Sequence, residues 1–388
     1  MTMKRYAGFD FSVISNARLR QAALCWVLAV LIVLVAGCSK EKSPLKIGFA
    51  GGLTGRYSDL GTSGRNGATL AVEEINAAGG IHGRPVELIV RDDQQDPEMA
   101  VQVDNDLIQK GVVAIIGHMT SDMAMAAVPL MNRKGVLMIS PTVSTTFLSG
   151  KDDDFIRVTP ALSEEPKKLA DYARKGLGVS RMAIICDKAN RAYTEDYADA
   201  FKSCFGNMGG HVTATITFTH GADTHFDILA HEVSASGCEG VLIAAGALDA
   251  GMICQQLHRE NANLHIFCSG WAMTQDFIQS AGRAADGVMF AQFYDQNSRK
   301  DTFMQFKKRF EARFGANPDF AAVAAYDAAQ VLFAALSQSP DPQILKATIL
   351  KQKRFHGVEG DFEIDAFGDP IRRFFLITVA NGGFKTLE

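Results

Sequence analysis

The sequence predicts an α/β protein of two similar lobes built on parallel sheets. Three observations carry that expectation. Short apolar strand patterns alternate with amphipathic helices at a period of roughly 25–35 residues, the signature of a parallel sheet covered by helices. The alternation restarts after the acidic run Asp152-Asp153-Asp154, where a second unit of the same kind begins. Two late helices and a return to strand patterns follow, so the halves are joined by more than one connection and a hinge is expected. A length of 388 residues suits two domains. Apolar content of 47% and charged content of 21% are those of a globular protein with ample core. A net charge of -4 without a basic block gives no reason to expect a nucleic-acid partner.

The N-terminus reads as a separate segment. Lys4, Arg5, Arg18 and Arg20 precede an apolar run from Ala22 to Val35, too short for a comfortable membrane span but suited to the apolar core of a secretory signal. Leu34-Val35-Ala36-Gly37-Cys38 resembles the bacterial lipobox, which implies cleavage before Cys38 and lipidation of its thiol. Residues 1–37 are then a lipoprotein signal peptide and 38–44 a lipidated tether. Acyl chains contribute about 0.8 kcal/mol per buried methylene, so a multiply acylated Cys38 is a stable anchor.

The mature chain opens on Lys46–Ala50, an apolar strand followed by a glycine-rich loop, and a helix is expected from near Gly64. Ala68, Ala71, Val72 and Ile75 give it one buried face, and Gly79-Gly80 ends it. Val86, Leu88 and Val90 alternate into Asp92-Asp93. Asp96-Pro97 then makes an N-cap and first-turn proline for the next helix. Apolar strands at Ala114–Ile116 and Val136–Ile139 follow. Beyond the acidic run the expected elements are a helix over Pro166–Lys175, a strand at Met182–Cys186, a helix over Thr194–Met208 and a strand at Val212–Phe218. Strands at Val241–Ala245, His265–Cys268 and Val288–Ala291 come next, alternating with further helices. Helices over Asp301–Phe314 and Phe320–Leu336 lead to strands at Phe362–Ile364 and Phe374–Ala380.

Both strands of the Val113–Ser144 stretch stop at hydroxyl-rich turns, Gly117-His118-Met119-Thr120-Ser121 and Ser140-Pro141-Thr142-Val143-Ser144. Ligands of open α/β sheets sit just beyond the carboxyl ends of strands. Backbone amides, hydroxyls and a helix N-terminus near Asp122 suit a carboxylate there. Chemistry of other kinds is not indicated. G-x-G-x-x-G after the first strand, the P-loop pattern, G-x-S-x-G and H-E-x-x-H are missing, so no catalytic residue and no cofactor is expected. His220, His225 and His231, with Asp223 and Asp227, read as a polar loop entering a helix rather than a metal site. Cys186, Cys204, Cys238, Cys254 and Cys268 are odd in number and contain no CxxC. Cys186 and Cys268, in apolar strand patterns, read as buried thiols.

Taken in order and spacing, several of these residues resemble the periplasmic branched-chain amino acid (Leu/Ile/Val) binding proteins, receptors of ABC importers. The markers are Ile47-Gly48 through Leu53-Thr54-Gly55, Gly61, Glu74–Ile81, Gly83-Arg84, Asp92-Asp93, Asp96-Pro97, Ile116-Gly117-His118 and Gly135–Pro141, in a resemblance spanning about residues 45 to 382. It implies the type I periplasmic binding fold, two Rossmann-like lobes joined by three crossovers near Val158–Ala161, Ala291–Tyr294 and Asp369–Arg372. Lobe 1 is then 45–160 and 294–370, and lobe 2 is 161–293 and 371–388. It also implies that Ser121, Thr142 and Ser144 grip an amino acid's carboxylate and ammonium, Thr142 through its backbone carbonyl, and that Tyr193 is the second lobe's aromatic.

The departures bear on the ligand. Trp271 stands where the family carries the acid that neutralises the ammonium, and Ala247-Leu248 replace a tyrosine after Gly246. Leu162 replaces a frequent Asp and Leu60 a frequent aromatic, while Gln95 and Thr120 occupy the positions of an occasional disulfide. A buried ammonium without a carboxylate partner is costly. Either Asp249, Glu195 or another acid takes over, or the ligand is a carboxylate with an apolar or aromatic body between Tyr193 and Trp271. The expected ligand-binding set is Ser121, Thr142, Ser144, Tyr193, Trp271, Leu60 and Leu162. The expected function is capture of an apolar amino acid for a membrane ABC permease by a protein that is exported and meets the membrane through its lipid anchor alone. A binder of carboxylates lacking an ammonium and a sensing module for a signalling partner are the alternatives.

Overall fold

In a computed structural model of the protein, described over residues 42–221 and 224–387, strand β1 (Leu45–Gly51) lies inside a five-stranded sheet. The signal segment and Cys38 lie outside the described residues. Helix α1 (Ser58–Ala77) begins six residues before the expected start. Its glycines look like poor helix formers, yet close packing demands one of them: a Cβ on Gly67 would stand 2.1 Å from the Ala322 carbonyl oxygen. β2 (Val86–Asp92) pairs parallel to β1. α2 (Pro97–Gln109) is capped by Asp96, whose carboxylate accepts the Met99 amide at 2.8 Å. β3 (Ala114–Ile116), α3 (Ser121–Lys134) and β4 (Leu137–Ser140) follow, with Gly135 in the left-handed region ending α3. The edge strand β5 (Phe155–Arg157) directly follows the acidic run and ends on Arg157, so only two apolar residues mark it in the sequence. The order is β2-β1-β3-β4-β5, all parallel.

The chain then builds a second sheet. Its elements are α4 (Glu164–Asp171), β6 (Arg181–Asp187), α5 (Arg191–Asn207), β7 (His211–Phe218), α6 (Phe226–Ala235), β8 (Gly240–Ala244), α7 (Ala247–Glu260), β9 (His265–Cys268), α8 (Gln275–Ala281) and β10 (Met289–Gln292). α4 is shorter than expected and passes into a wider turn over 172–176. After β10 the chain returns to the first sheet with α9 (Asp301–Phe314), α10 (Phe320–Gln338) and α11 (Leu345–Gln352). A small antiparallel sheet of β11 (Arg354–Gly357), β12 (Gly360–Ile364) and β13 (Pro370–Ile371) comes next. β14 (Phe375–Ala380) and β15 (Gly383–Thr386) then complete the second sheet.

That second sheet, ordered β15-β14-β10-β9-β8-β6-β7, is mixed rather than parallel, which corrects the expectation. β14 runs antiparallel to β10, and β15 antiparallel to β14. Only Asn381 and Gly382, both with positive φ, separate β14 from β15, and a two-residue hairpin turn permits no parallel pairing. Three segments pass between the sheets, over 158–163, 293–300 and 372–374. The second and third lie slightly beyond their expected places, because Ala291 belongs to β10 and Pro370-Ile371 to β13. α10 has a mean hydropathy of 1.5, enough for a membrane span by composition, but it packs on α1 inside the protein.

Candidate functional site

β3 and β4 are neighbours in register, Ile116 beside Ile139, so the turns that follow them meet at one corner. Most hydroxyls there hold the turns in shape. Thr142 Oγ1 donates to the Met119 carbonyl at 2.5 Å, Ser140 Oγ to the His118 carbonyl at 2.8 Å and Thr159 Oγ1 to the Pro141 carbonyl at 2.5 Å. Thr120 Oγ1 donates to Gln95 Oε1 at 3.0 Å, a hydrogen bond at the two positions the family sometimes bridges with a disulfide. Ser121 and Ser144 stand apart from this network. Both are nearly buried and both line the cavity. Ser121 opens α3, so its amide is among the unpaired donors of a helix start. Behind the corner, His118 lies fully buried between Asp93 (Nδ1 to Oδ2, 2.7 Å) and Asp104 (Nε2 to Oδ2, 3.2 Å). Burial alone pulls the imidazole pKa down, but Asp104 and Asp93 outweigh it and hold it at about 10.

The cavity is narrow and in part continuous with solvent. Leu60, Met119 and Phe320 give it an apolar wall from the first lobe, and Tyr193 and Trp271 face them from the second. Tyr193 comes from the first turn of α5. Trp271 follows β9, and the two rings lie 5.9 Å apart at 84°. Tyr57, just before α1, packs on Trp271 at 5.3 Å and crosses the cleft to Gly246, where a Cβ would stand 2.6 Å from its ring. An aromatic from the opposite lobe therefore occupies the neighbourhood of the tyrosine that the sequence lacks after Gly246.

One expectation is corrected here and one set of alternatives is narrowed. Leu162 does not line the cavity. It is core, 2% exposed, and its amide donates to the Ser144 carbonyl at 2.9 Å, so it sets the turn that presents Ser144. Neither Asp249 nor Glu195 reaches the cavity. Asp249 accepts Arg56 Nη2 at 2.6 Å and lies 3.1 Å from His220 Nδ1, while Glu195 pairs with Arg191 at 2.9 Å on the surface. The acid that does line it is Glu165 of α4, whose Oε1 accepts the Gly270 amide at 2.7 Å. Burial raises its pKa to about 7, against the lowering effect of the Gly270 amide and the Tyr197 hydroxyl. In sequence Glu164-Glu165 looks like an ordinary acidic helix start. The overlooked signal is helical phase, which puts Glu165 on the same buried face as Leu169.

Hydrogen bonds close the cleft around its rim. Besides Arg56 and Asp249, the Tyr57 hydroxyl donates to Asp187 at 2.7 Å and Thr274 Oγ1 to Asp59 at 2.8 Å. Asp122 accepts the Arg191 and Ala192 amides at 2.9 and 2.7 Å, and Asp196 accepts the Thr146 amide at 2.6 Å. Among the described residues no group of His, Cys, Asp and Glu is arranged to hold a metal ion. Cys186, Cys204, Cys238, Cys254 and Cys268 are free thiols, and Cys186 and Cys268 are buried.

Residues 44–383 match the family model described as Periplasmic binding protein. The chain belongs to that family. Among its relatives in this family are Leu/Ile/Val-binding protein homolog 2 of Brucella abortus and the Leu/Ile/Val-binding protein of Escherichia coli. The first is 27% identical, over 91% of this chain and 94% of the relative. The second is 26% identical, over 88% and 92%. The substrate-binding protein LivJ of Streptococcus pneumoniae, solved with isoleucine, superposes with a TM-score of 0.82 at 25% identity, covering 89% of this chain and 99% of that one. A solute-binding protein of R. palustris solved with benzoate shares the fold at a TM-score of 0.81 and 24% identity, over 89% and 95%.

Proposed function

We propose that this periplasmic binding protein is the receptor of an ABC importer and captures an amino acid with an apolar side chain between its lobes. One observation carries the reading: the cavity between the lobes sets the Ser121 and Ser144 hydroxyls and a helix start at one end against an apolar and aromatic wall. Ser121 and Ser144 take the carboxylate, the Thr142 carbonyl takes part of the ammonium, and Leu60, Tyr193 and Trp271 enclose the side chain. Each hydrogen bond to the charged carboxylate contributes about 1.5–3 kcal/mol. A ligand that touches both lobes only when they are shut shifts the population toward the closed form, which then docks on the permease. Lipidation at Cys38 keeps the receptor close to that partner on the extracytoplasmic side.

A second reading, an aromatic carboxylate without an ammonium, draws on the Tyr193 and Trp271 rings. A thermal-shift panel of leucine, isoleucine, valine and phenylalanine beside benzoate tests both. A ligand at about 100 times its Kd adds roughly 2.7 kcal/mol to stability, a readily measured rise in Tm. Stabilisation by an aliphatic amino acid and not by benzoate is the expected result. Stabilisation by benzoate alone would replace the first reading with the second.

A further inference from the structure

We infer that Glu165 is the specificity-determining acid of the cleft: it meets the ligand's ammonium and so restricts the receptor to α-amino acids over the corresponding deaminated acids. The inference rests on the amino-acid reading above and adds the group that enforces it. Glu165 lines the cavity that also holds Ser121 and Ser144, and it is 5% exposed. The Gly270 amide fixes one of its oxygens at 2.7 Å, so the carboxyl is held in place rather than swinging into solvent. Among the described residues no Lys, Arg or His forms an ion pair with it.

The other acids near the cleft are committed elsewhere. Asp249 pairs with Arg56 across the rim, Asp187 accepts the Tyr57 hydroxyl and the Ala189 amide, and Asp122 caps the start of α5. A buried carboxylate without a cation is costly, and a small molecule that brings its own cation into the cavity removes that cost. The hydroxyl corner suits the anionic end of such a molecule, because the Ser121 amide and the Ser121 and Ser144 hydroxyls are donors there and no acid stands among them. The two ends together describe a zwitterion whose apolar body lies against Leu60, Met119 and Phe320. A ligand lacking the ammonium would leave Glu165 either charged and unpaired or protonated.

The test is titration calorimetry of the wild-type protein and of Glu165→Gln, which keeps the side chain's shape and an oxygen for the Gly270 amide. The probes are leucine, isoleucine, valine and phenylalanine, each beside its deaminated acid, for example 4-methylpentanoate for leucine. Circular dichroism and Tm confirm that the variant is folded. In the wild type an amino acid is expected to bind at least 10-fold, and up to about 100-fold, more tightly than its deaminated partner, the span of a hydrogen bond to a charged group. In Glu165→Gln that preference should shrink by a similar factor through loss of amino-acid affinity, with the deaminated acid held as well or better. Equal binding of both partners by the wild type overturns the role of Glu165 while leaving a carboxylate receptor standing. An unchanged preference in the folded variant also overturns it, because another group then reads the ammonium. Binding of neither class by the wild type sinks the amino-acid reading, and this inference with it.

Discussion

Among the hydroxyls at the strand tips, those of Ser140, Thr142 and Thr159 are spent on backbone carbonyls, whereas Ser121 and Ser144 face the cavity. That division predicts a separation of stability from affinity. Ser121→Ala and Ser144→Ala should each weaken amino-acid binding about 10- to 100-fold, the equivalent of about 1.5–3 kcal/mol for one charged hydrogen bond, and leave Tm almost unchanged. Calorimetry showing wild-type affinity in both variants would remove them from the site. At this scale strand ends and hydroxyl-rich turns coincide at Ser121, Thr142 and Ser144, and all three line the cavity. The sequence misled where a residue faces inward for another reason. Leu162 is apolar because it fills the core and positions Ser144, and Glu165 hides in an acidic helix start whose buried phase shows only once Leu169 is placed.

At the scale of elements, the corner is held from behind by His118, which ties the end of β3 to the loop after β2 and to α2 through Asp93 and Asp104. Its folded-state pKa of about 10 lies above the ordinary value of about 6.5. The pairing therefore stabilises the fold fully below about pH 6.5 and is lost as pH rises through about 10. His118→Gln should cost roughly 3–5 kcal/mol, since two buried carboxylates lose their cation, and should flatten the alkaline fall in stability seen in the wild type. Denaturant titrations of both proteins from pH 7 to 10.5 measure this, and matching slopes would dismiss the charged pairing. The strand–helix alternation was legible because buried parallel strands and amphipathic helices differ in period. β5 and β11 were not, because Arg157, Arg354 and His356 interrupt them and leave no continuous apolar run. The β14–β15 hairpin did carry a sequence signal, Asn381-Gly382 directly after an apolar run.

For the whole molecule, the rim contacts set how readily the lobes part. Asp249 is buried and bonded to Arg56 and Tyr57 of the opposite lobe, yet it does not line the cavity. Asp249→Asn should therefore act on closure. The expected outcome is a larger radius of gyration by small-angle scattering without ligand, and roughly tenfold weaker affinity, as about 1.4 kcal/mol leaves the closed state. Unchanged radius and affinity together would show that the rim pair does not bias the equilibrium. The two-lobed plan was readable from the restart after Asp152–Asp154, but not the rim pairing, which joins residues nearly two hundred positions apart.

The three passages between the sheets carry a consequence for how the chain is made. α10 fills the first lobe's core against α1, and β14 closes the second lobe beside β10, so each lobe draws on an early and a late stretch of sequence. Neither can finish while the polypeptide is still emerging, and no single cut in the chain releases one intact lobe from the other. Such a polypeptide stays incompletely folded until β14 and β15 are available, so its two halves reach their final form together rather than one after the other.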